Sequence, residues 1–366
     1  MKIGVLGTGQ LGRMLAHAAP EGVEMAFYGN GDAGPVRGLG PVCAAAYDDR
    51  DALIDFTEGL DALTYEFENV AADHLHEMAE RVRLSPPVRA LEVSQDRLVE
   101  KTFFNELGLE TAPFRAVDSH DGLVAAVDAL GAPARLKTRR FGYDGKGQFP
   151  LQSADDIPLA WETLGGPPLI LEGFVDFDAE YSIIGARDLN GRCAFYPLVQ
   201  SHHRSGILRV SVSPIAVDRA LVTEAQRISR AVMDTLDYVG VLTIEMFASG
   251  DRLLINEMAP RVHNSGHWTI EGTTVSQFRN HMLCVSGKDV ELPQPRGYSM
   301  MINVIGDYPS DADAARGAVH DYQKSAARPG RKMGHVTAVH EAMADRDRHA
   351  AAVLANLDDV PPGTLP

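Results

Sequence analysis

The stretch TIEMFASGDRLLINEM carries two glutamates whose spacing could hold a metal ion. If the chain turns at Gly250-Asp251-Arg252, the flanking strands fold back about Asp251, and Glu245 faces Glu257. Opposed side chains in an antiparallel pair have Cβ atoms about 4.5–5.5 Å apart. Carboxylates that close repel unless a cation lies between them or one is protonated. The pattern predicts a Mg²⁺ site to which Asn256 could add an amide oxygen; an ordinary exposed hairpin is the alternative.

The segment RLKTRRFGYDGKGQ, from Arg135 to Gln148, is a second candidate. Lys137 lies on a predicted strand, and the segment after it is rich in glycine: Gly142, Gly145 and Gly147. The amides of such a loop can surround a polyphosphate, and Lys146 adds charge at its tip. The order of residues is not that of a Walker loop. The segment predicts a phosphate-binding loop of another type, with a flexible surface hairpin as the alternative.

The segment GTGQLG, Gly7 to Gly12, has the G-x-G-x-x-G spacing of a dinucleotide-binding turn. A dinucleotide enzyme should also carry an acid about 20 residues further on, at the end of the second strand. Asp32 is near that distance, but it follows a Gly-Asn-Gly loop. The dinucleotide pattern is therefore only half met. The same turn could hold the phosphate of a mononucleotide or be purely structural.

Two further segments concentrate polar side chains. APRVHNSGHWTIEG follows the second glutamate and contains Arg261, His263, Asn264 and His267. Such a loop could receive a small anion beside a terminal phosphate. Zinc binding by His263 and His267 at i, i+4 would require a helix, and Asn264-Ser265-Gly266 indicates a loop instead. QKSAARPGRKMGHV gathers Lys324, Arg328, Arg331 and Lys332. This cluster is either an anion site or a solvated basic face.

These residues need elements to position them. KIGVLG, VEMAFYG and DALTYEF predict strands that alternate with the helices QLGRMLAHAA and ADHLHEMAERV, as in a parallel sheet. LSPPV marks a boundary. SQDRLVEKTFFNELG predicts a helix capped by Ser94 and ended by Gly108. PPLILEGFVDFDAEYSIIGARD and GRCAFYPLVQ predict an antiparallel sheet with a hairpin at Asn190-Gly191, and short strands return after about Ser299.

The composition excludes several classes of partner. The chain has 366 residues, with 34 basic and 50 acidic side chains and a net charge of -16. No basic stripe is present, so nucleic acid is not an expected partner. No apolar run approaches the roughly 20 residues of a membrane span, and Gly7 interrupts any secretory segment. The cysteines, Cys43, Cys193 and Cys284, form no C-x-x-C and predict reduced thiols in a cytoplasmic protein.

Seven stretches together resemble the ATP-grasp ligases, and more narrowly the N5-carboxyaminoimidazole ribonucleotide synthetases of purine biosynthesis. In order they are GTGQLGRM, TYEFENV, SQDRLVEK, RRFGYDGKGQ, HHRSGILRVS, INEMAPRVHNSGHWTIEG and RPGRKMGH. The resemblance implies an α/β (α+β) fold with a Rossmann-like preATP-grasp domain over residues 1–93. It implies an ATP-grasp domain of two subdomains over 94–298, with a phosphate loop at 141–148, and a small β-rich C-terminal domain over 299–366. The glycine turn would then lie on the substrate side and would not bind nicotinamide.

The resemblance also implies ligands. ATP would be bound by Arg97, Lys137, Gly142, Tyr143, Asp144, Gly145, Lys146, Gly147, Gln148, Glu172, Gly173, Phe174, Val175, Glu180, His203, Asn256 and Glu257. The backbone of Glu172 and Val175 would meet the adenine, and Glu180 the ribose. Mg²⁺, expected as two ions, would be carried by Glu245 and Glu257. One departure is Phe141, where the family often has glycine, and it affects the expected detail of the phosphate loop.

The implied acceptor is 5-aminoimidazole ribonucleotide. It would contact Glu68, Tyr143, Asp144, Lys146, Lys324 and Arg331, the last two at its phosphate. Glu66 is an alternative to Glu68. The implied catalytic residues are Arg261 and His267, which would bind bicarbonate and its phosphorylated form, and Lys137. The family suggests a homodimer that acts on small molecules.

The implied reaction has two steps. Bicarbonate attacks the γ-phosphate of ATP to give carboxyphosphate and ADP, while Lys137 and Mg²⁺ offset the charge. The acceptor amine then captures carboxyphosphate or CO₂ released from it, with His267 or phosphate as the base. Three rival functions remain open: another ATP-grasp enzyme such as a formate-using glycinamide ribonucleotide transformylase or a biotin carboxylase, an NAD-dependent dehydrogenase, and an inactive nucleotide-binding protein. The dehydrogenase leaves Glu245 and Glu257 unexplained.

Overall fold

A computed structural model describes residues 1–142, 146–166 and 168–355 of the chain. The N-terminal part is a four-stranded parallel sheet in the order β3-β2-β1-β4. Its strands are β1 (Lys2–Leu6), β2 (Glu24–Tyr28), β3 (Val42–Cys43) and β4 (Ala62–Tyr65), and its helices are α1 (Gln10–Ala18), α2 (Arg50–Phe56) and α3 (Ala72–Ala79). The predicted alternation is confirmed, and the inner strands are apolar because both faces of a parallel sheet are covered.

The next helical segment differs from its prediction. Ser94 is the last residue of α4 (Val88–Ser94) and so cannot cap the helix that follows. The cap is Asp96, whose carboxylate accepts a hydrogen bond of 2.9 Å from the amide of Leu98 at the start of α5 (Arg97–Glu106). Gly108 adopts φ +69° just beyond that helix, so its predicted role as terminator is confirmed.

A small antiparallel sheet with the order β5-β8-β6-β7 follows. Its strands are β5 (Phe114–Val117), β6 (Ala134–Thr138), β7 (Gln148–Leu151) and β8 (Leu169–Gly173), and its helices are α6 (His120–Leu130) and α7 (Ile157–Leu164). The helices bury one face of the sheet in a separate apolar core that includes Leu123, Leu136 and Leu171. The other face is left for the site.

The third sheet has nine strands in the order β14-β13-β9-β11-β12-β15-β17-β16, with β10 also paired to β9. Its strands are β9 (Ala179–Arg187), β10 (Cys193–Phe195), β11 (Val199–Arg204), β12 (Ile207–Ser213), β13 (Gly240–Ser249), β14 (Arg252–Ala259), β15 (Tyr298–Ile305), β16 (Ala318–Asp321) and β17 (Lys332–His340). Its helices are α8 (Arg219–Thr235), α9 (Thr269–Gly272), α10 (Gln277–Val285), α11 (Asp311–Ala314) and α12 (Met343–Ala355). Because β15 pairs with β12, the C-terminal strands extend the central sheet.

One predicted sheet is in fact divided between two. The stretch from Pro167 to Asp188 supplies β8 to the small sheet and β9 to the large one. The five residues between them, 174–178, therefore cross from one sheet to the other. The hairpin predicted at Asn190-Gly191 is confirmed, because β10 pairs with β9 and Gly191 has φ +78°.

The N-terminal and central parts share a core. Leu15 on α1 and Met282 on α10 are both fully buried in the same apolar cluster, which also contains Trp268. Arg279 on α10 donates a hydrogen bond of 3.2 Å to the carbonyl of Ala18. None of the cysteines forms a disulfide, and no helix in the described ranges is long and apolar enough to cross a bilayer.

The shared core predicts that Leu15→Ala lowers the free energy of unfolding by about 2–5 kcal/mol, the usual range for a buried leucine. Because α1 and α10 bury each other, the loss should move the unfolding transition of the whole chain. Urea denaturation followed by circular dichroism measures it. Leu159→Ala is the control, since Leu159 is 56% exposed on α7 and should change stability by less than about 0.5 kcal/mol. Equal shifts in both variants would contradict the shared core.

Candidate active site

The hairpin of β13 and β14 brings Glu245 opposite Glu257, as predicted, but by a different route. Ser249 pairs with Arg252, so the turn consists of two residues, Gly250 and Asp251, and the predicted centre at Asp251 is wrong. The register of this turn alone would place Asn256 opposite Glu245. A β-bulge between Glu245 and Met246 adds one residue to β14 and shifts the pairing to Glu257.

The two carboxylates differ in their surroundings. Burial, reinforced by the charge of Glu257, raises the pKa of the Glu245 carboxyl to about 7. Burial alone would also raise the pKa of Glu257, but the Arg97 guanidinium outweighs it and lowers that pKa to about 2. Nη1 of Arg97 lies 2.7 Å from Oε2 of Glu257. The pair is therefore a negative site that one internal cation only half compensates.

The residues around this pair fit a hard divalent ion. The buried Oδ1 atom of Asn256, the residue before Glu257, has no hydrogen-bond partner among the described residues, so its oxygen is uncommitted there. Within the described ranges, including this site, no group of three His, Cys, Asp or Glu side chains could hold a metal ion by itself. An ion held by Glu245, Glu257 and Asn256 would need further oxygens. Mg²⁺ usually takes such oxygens from substrate phosphates and water.

The base of the predicted phosphate loop is tied to the start of α5. The Arg139 guanidinium binds both oxygens of Asp96, at 2.7–3.1 Å, and Nη2 of Arg97 donates to the carbonyl of Gly142 at 3.3 Å. Tyr143, Asp144 and Gly145 lie outside the described residues, and Lys146 is not a free side chain. Near the end of the loop, Gly147 adopts φ +65°.

Phe141, at the start of the loop, adopts φ +62° and is 69% exposed. This is the left-handed region, which a bulky side chain adopts at a cost and glycine adopts freely. The glycine that the resemblance implies at this position would adopt this conformation without strain. Phe141 adopts it at a cost in backbone energy.

Two further pairs of predicted ATP ligands contact each other, one on the small sheet and one on the large sheet. Nζ of Lys137 lies 2.8 Å from Oε2 of Glu172, which is 4% exposed on β8. Burial lowers the pKa of the Lys137 ammonium, and Glu172 opposes that shift. Glu180 on β9 contacts Nδ1 of His203 on β11 at 2.9 Å. Burial alone would lower the pKa of His203, but the hydrogen bond with Glu180 outweighs it and raises the pKa.

The glycine turn at the N-terminus is already occupied. The carboxylate of Glu66, which follows β4, accepts hydrogen bonds from the amide of Gly9 and, at 2.6 Å, from that of Gly12. An internal carboxylate thus fills the anion position at the N-terminus of α1. These two amides are therefore bonded to an internal carboxylate, which favours the purely structural alternative for the turn. Glu68, two residues further, pairs instead with Nε of Arg261 at 2.7 Å.

Asp32 also has a structural partner in place of a ribose. Its Oδ2 atom accepts from the amide of Ser325 at 2.8 Å and lies 3.3 Å from Nη2 of Arg331. Nζ of Lys324 donates to the carbonyl of Lys332 at 2.7 Å. Burial, together with the charges of Arg331 and Lys332, lowers the pKa of Lys324 to about 8. The N-terminal part therefore holds the C-terminal cations in place.

A single cavity of about 800 Å³ joins these groups. Its lining includes most of the predicted site residues that carry charge: Glu66, Glu68, Arg97, His203, Glu245, Glu257, Arg261, His267, Lys324 and Arg331. Gly142 lines it as well, whereas several predicted ATP ligands lie outside it: Lys137, Lys146, Gly147, Gln148, Glu172, Gly173, Phe174, Val175, Glu180 and Asn256. Arg328 of the C-terminal cluster does not reach it. The lining of the cavity thus includes both the glutamate pair and the cations Lys324 and Arg331.

His267 is the more enclosed of the two nearby histidines. It is 1% exposed, its Nδ1 atom lies 3.2 Å from Nε2 of Gln277, and burial lowers its pKa well below the usual value. His263, which sequence reasoning left out of the site, lies 3.9 Å from Oε1 of Glu245 and also lines the cavity. Its spacing of two residues from Arg261 was the available signal, because i and i+2 share a face in an extended chain.

Comparison with known proteins agrees with this architecture. Three family models match: the ribonucleotide synthetase preATP-grasp domain at residues 1–95, the ATP-grasp domain at 102–278 and the phosphoribosylaminoimidazole carboxylase C-terminal domain at 299–349. The chain is 43% identical to the N5-carboxyaminoimidazole ribonucleotide synthase of Brucella melitensis over 92% of this chain and 96% of that protein. It is 43% identical to that of Pseudomonas aeruginosa over 92% and 94%.

Solved structures give the same result. The N5-carboxyaminoimidazole ribonucleotide synthetase of Thermus thermophilus has a TM-score of 0.91 and 44% identity over 98% of this chain and 99% of that one. The Aspergillus clavatus enzyme, crystallised with ADP and 5-aminoimidazole ribonucleotide, has a TM-score of 0.88 and 29% identity over 97% of each chain. The chain belongs to the N5-carboxyaminoimidazole ribonucleotide synthase family of ATP-grasp ligases.

Proposed function

We propose that this protein carboxylates the exocyclic amine of 5-aminoimidazole ribonucleotide, using ATP and bicarbonate and releasing ADP and phosphate. The cavity that joins the Glu245–Glu257 pair to Lys324 and Arg331 carries the proposal. We assign the triphosphate with its metal to the glutamate pair and the ribonucleotide phosphate to the two cations. The Aspergillus relative, crystallised with both ADP and the aminoimidazole ribonucleotide, supports this division.

In the nucleotide half, the proposed ligands are those implied by the resemblance, including the phosphate loop and the hinge residues after Glu172. Lys137 is held on β6 by Glu172, so its ammonium can offset charge on the phosphoryl oxygens. Mg²⁺, as two ions held by Glu245, Glu257 and Asn256, would neutralise phosphate oxygens of ATP. Arg97, which binds Glu257 in this structure, is proposed as a further ligand of ATP.

In the transfer half, bicarbonate oxygen bonds to the γ-phosphorus as the bond to the ADP oxygen breaks, giving carboxyphosphate. The acceptor nitrogen then bonds to the carboxyl carbon of carboxyphosphate, or of CO₂ released from it, and phosphate leaves. Arg261 is the proposed bicarbonate ligand, and its ion pair with Glu68 sets the position of its side chain. His267, kept neutral by burial, can accept a hydrogen bond or the amine proton. His263 is a second neutral imidazole beside it.

The acceptor is proposed to bind through Lys324 and Arg331 at its phosphate and through Glu68 nearer its ring, with Tyr143, Asp144 and Lys146 as further contacts. The domain division at residues 93/94 and 298/299, a cytoplasmic location and a homodimeric state are parts of the same proposal. The three cysteines, none of which forms a disulfide, support a reduced compartment.

The proposal is tested by assaying phosphate release from ATP with bicarbonate, with and without 5-aminoimidazole ribonucleotide. Release should require bicarbonate and increase when the acceptor is added, and carbon from labelled bicarbonate should appear on the acceptor. Release that ignores both compounds would contradict the function. Incorporation into formylglycinamide ribonucleotide from formate would favour the transformylase instead.

Removal of one metal ligand should stop turnover without unfolding the chain. Glu257→Gln should lower kcat by about 100-fold or more, because even partners that only orient metal ligands contribute 10–100-fold. Steady-state rates across a range of Mg²⁺ concentrations and a thermal melt measure both effects. Glu110→Gln is the control, since Glu110 is 57% exposed and pairs only with Arg252. Full activity of Glu257→Gln would remove the metal site.

The lowered pKa of Lys324, about 8, predicts a pH dependence. The Lys324 side chain binds the acceptor phosphate only in its protonated form. Therefore kcat/KM for the ribonucleotide should fall as the pH rises through about 8. Lys324→Arg keeps its charge and should keep kcat/KM constant to a higher pH. The profile of kcat/KM for ATP serves as the comparison. If both profiles fall together in both proteins, Lys324 is not the phosphate ligand.

A further inference from the structure

Two adjacent ionisable residues of α5 are buried at the site and have no role in the mechanism above, although Glu100 also lines the cavity. Glu100 is 2% exposed and Lys101 is 1% exposed. Burying a charged side chain is costly unless it is paired and hydrogen-bonded. Their partners therefore indicate what the two side chains do.

Both side chains bind the backbone of β14, one on each side of Glu257. Oε1 of Glu100 accepts a hydrogen bond of 2.8 Å from the amide of Met258. Nζ of Lys101 donates a hydrogen bond of 3.1 Å to the carbonyl of Asn256. The residues that carry these two backbone groups precede and follow the residue proposed to bind the metal.

These contacts are needed because of where β14 lies. It is the end strand of the nine-stranded sheet, so one row of its backbone groups faces away from β13. The bulge at Asn256 also disrupts the ladder locally. A buried carbonyl or amide without a partner is unfavourable, and α5 supplies the missing donor and acceptor. The shifted register that makes Glu257 face Glu245 is thereby held in place.

Lys101 also reaches the small sheet. Its Nζ atom lies 3.6 Å from Oε2 of Glu172, the same oxygen that Lys137 contacts at 2.8 Å. Glu172 is on β8, immediately before the segment proposed to meet the adenine. One buried ammonium thus connects the metal-binding strand of the large sheet to the adenine-binding strand of the small sheet.

We propose that Glu100 and Lys101 are positioning residues. They hold the bulged part of β14 next to Glu257 and connect it to Glu172, whose backbone is proposed to meet the adenine. Both side chains act through their contacts with the backbone of β14. The inference rests on the proposed metal site, and it assigns the precision of that site to α5. The affected quantity is the Mg²⁺ concentration that supports nucleotide binding.

The test uses the full-length protein and isothermal titration of ADP at a series of Mg²⁺ concentrations. Lys101→Met keeps the apolar stem and removes the ammonium, leaving the Asn256 carbonyl without its donor. The half-saturating Mg²⁺ concentration should rise about tenfold, equivalent to about 1.4 kcal/mol. Thr102→Ala is the matched control, because Thr102 is the exposed next residue of α5 and bonds only to the carbonyl of Leu98.

The Glu100 variants give an independent arm that decides the matter if Lys101→Met does not fold. Glu100→Gln keeps an oxygen for the Met258 amide and should retain most of the Mg²⁺ affinity, whereas Glu100→Leu removes the acceptor and should lose it. A merely structural role would lower the melting temperature of both Leu and Met variants but leave the half-saturating Mg²⁺ concentration of the folded protein unchanged. That result overturns the inference.

The parent protein separates the two proposals. If ADP binding by the parent does not depend on Mg²⁺, the metal site itself fails, and this inference fails with it. If the parent depends on Mg²⁺ and folded Lys101→Met and Glu100→Leu match it, the metal site stands and only the positioning role fails.

Discussion

The site depends on one electrostatic constraint, the placement of two carboxylates opposite each other on a partly buried hairpin. Glu245 and Glu257 repel, and burial removes the water that would screen them. Arg97 compensates only one of them, which is why their pKa values move in opposite directions. The fold tolerates this because its remaining contacts hold the hairpin, and a cation between the two carboxylates would relieve the repulsion.

The same constraint explains where the positive charge lies in an acidic chain. The net charge of -16 would repel nucleotides at long range, so affinity must come from cations gathered locally. Lys101 and Lys137 contact Glu172, Arg97 binds Glu257, and Lys324 and Arg331 line the same cavity as the glutamate pair. Each is paired with a carboxylate or a carbonyl, which fixes its position before a phosphate arrives.

Sequence reasoning found the facing glutamates but not the reason they face each other. Its symmetric turn about Asp251 gave the correct pair because a one-residue error in the turn was offset by the bulge at Asn256. A bulge depends on what covers the strand, here Glu100 and Lys101 from a helix about 155 positions earlier. Local patterns therefore identified the parallel strands, the hairpins and the classes of ligand. They missed that α4 extends through Ser94, which leaves Asp96 to cap α5, and they gave His263 no role although it lies near Glu245.

The glycine turn shows the same limit most clearly. Its spacing indicates an anion at the N-terminus of α1, and an anion is there, but it is the carboxylate of Glu66, 57 positions away. The acid expected at a ribose, Asp32, instead holds Ser325 and Arg331. Both features of a dinucleotide site are thus present in the lining of the cavity, where each binds another part of the chain. A motif fixes the local preference for charge, and the rest of the fold decides which group satisfies it.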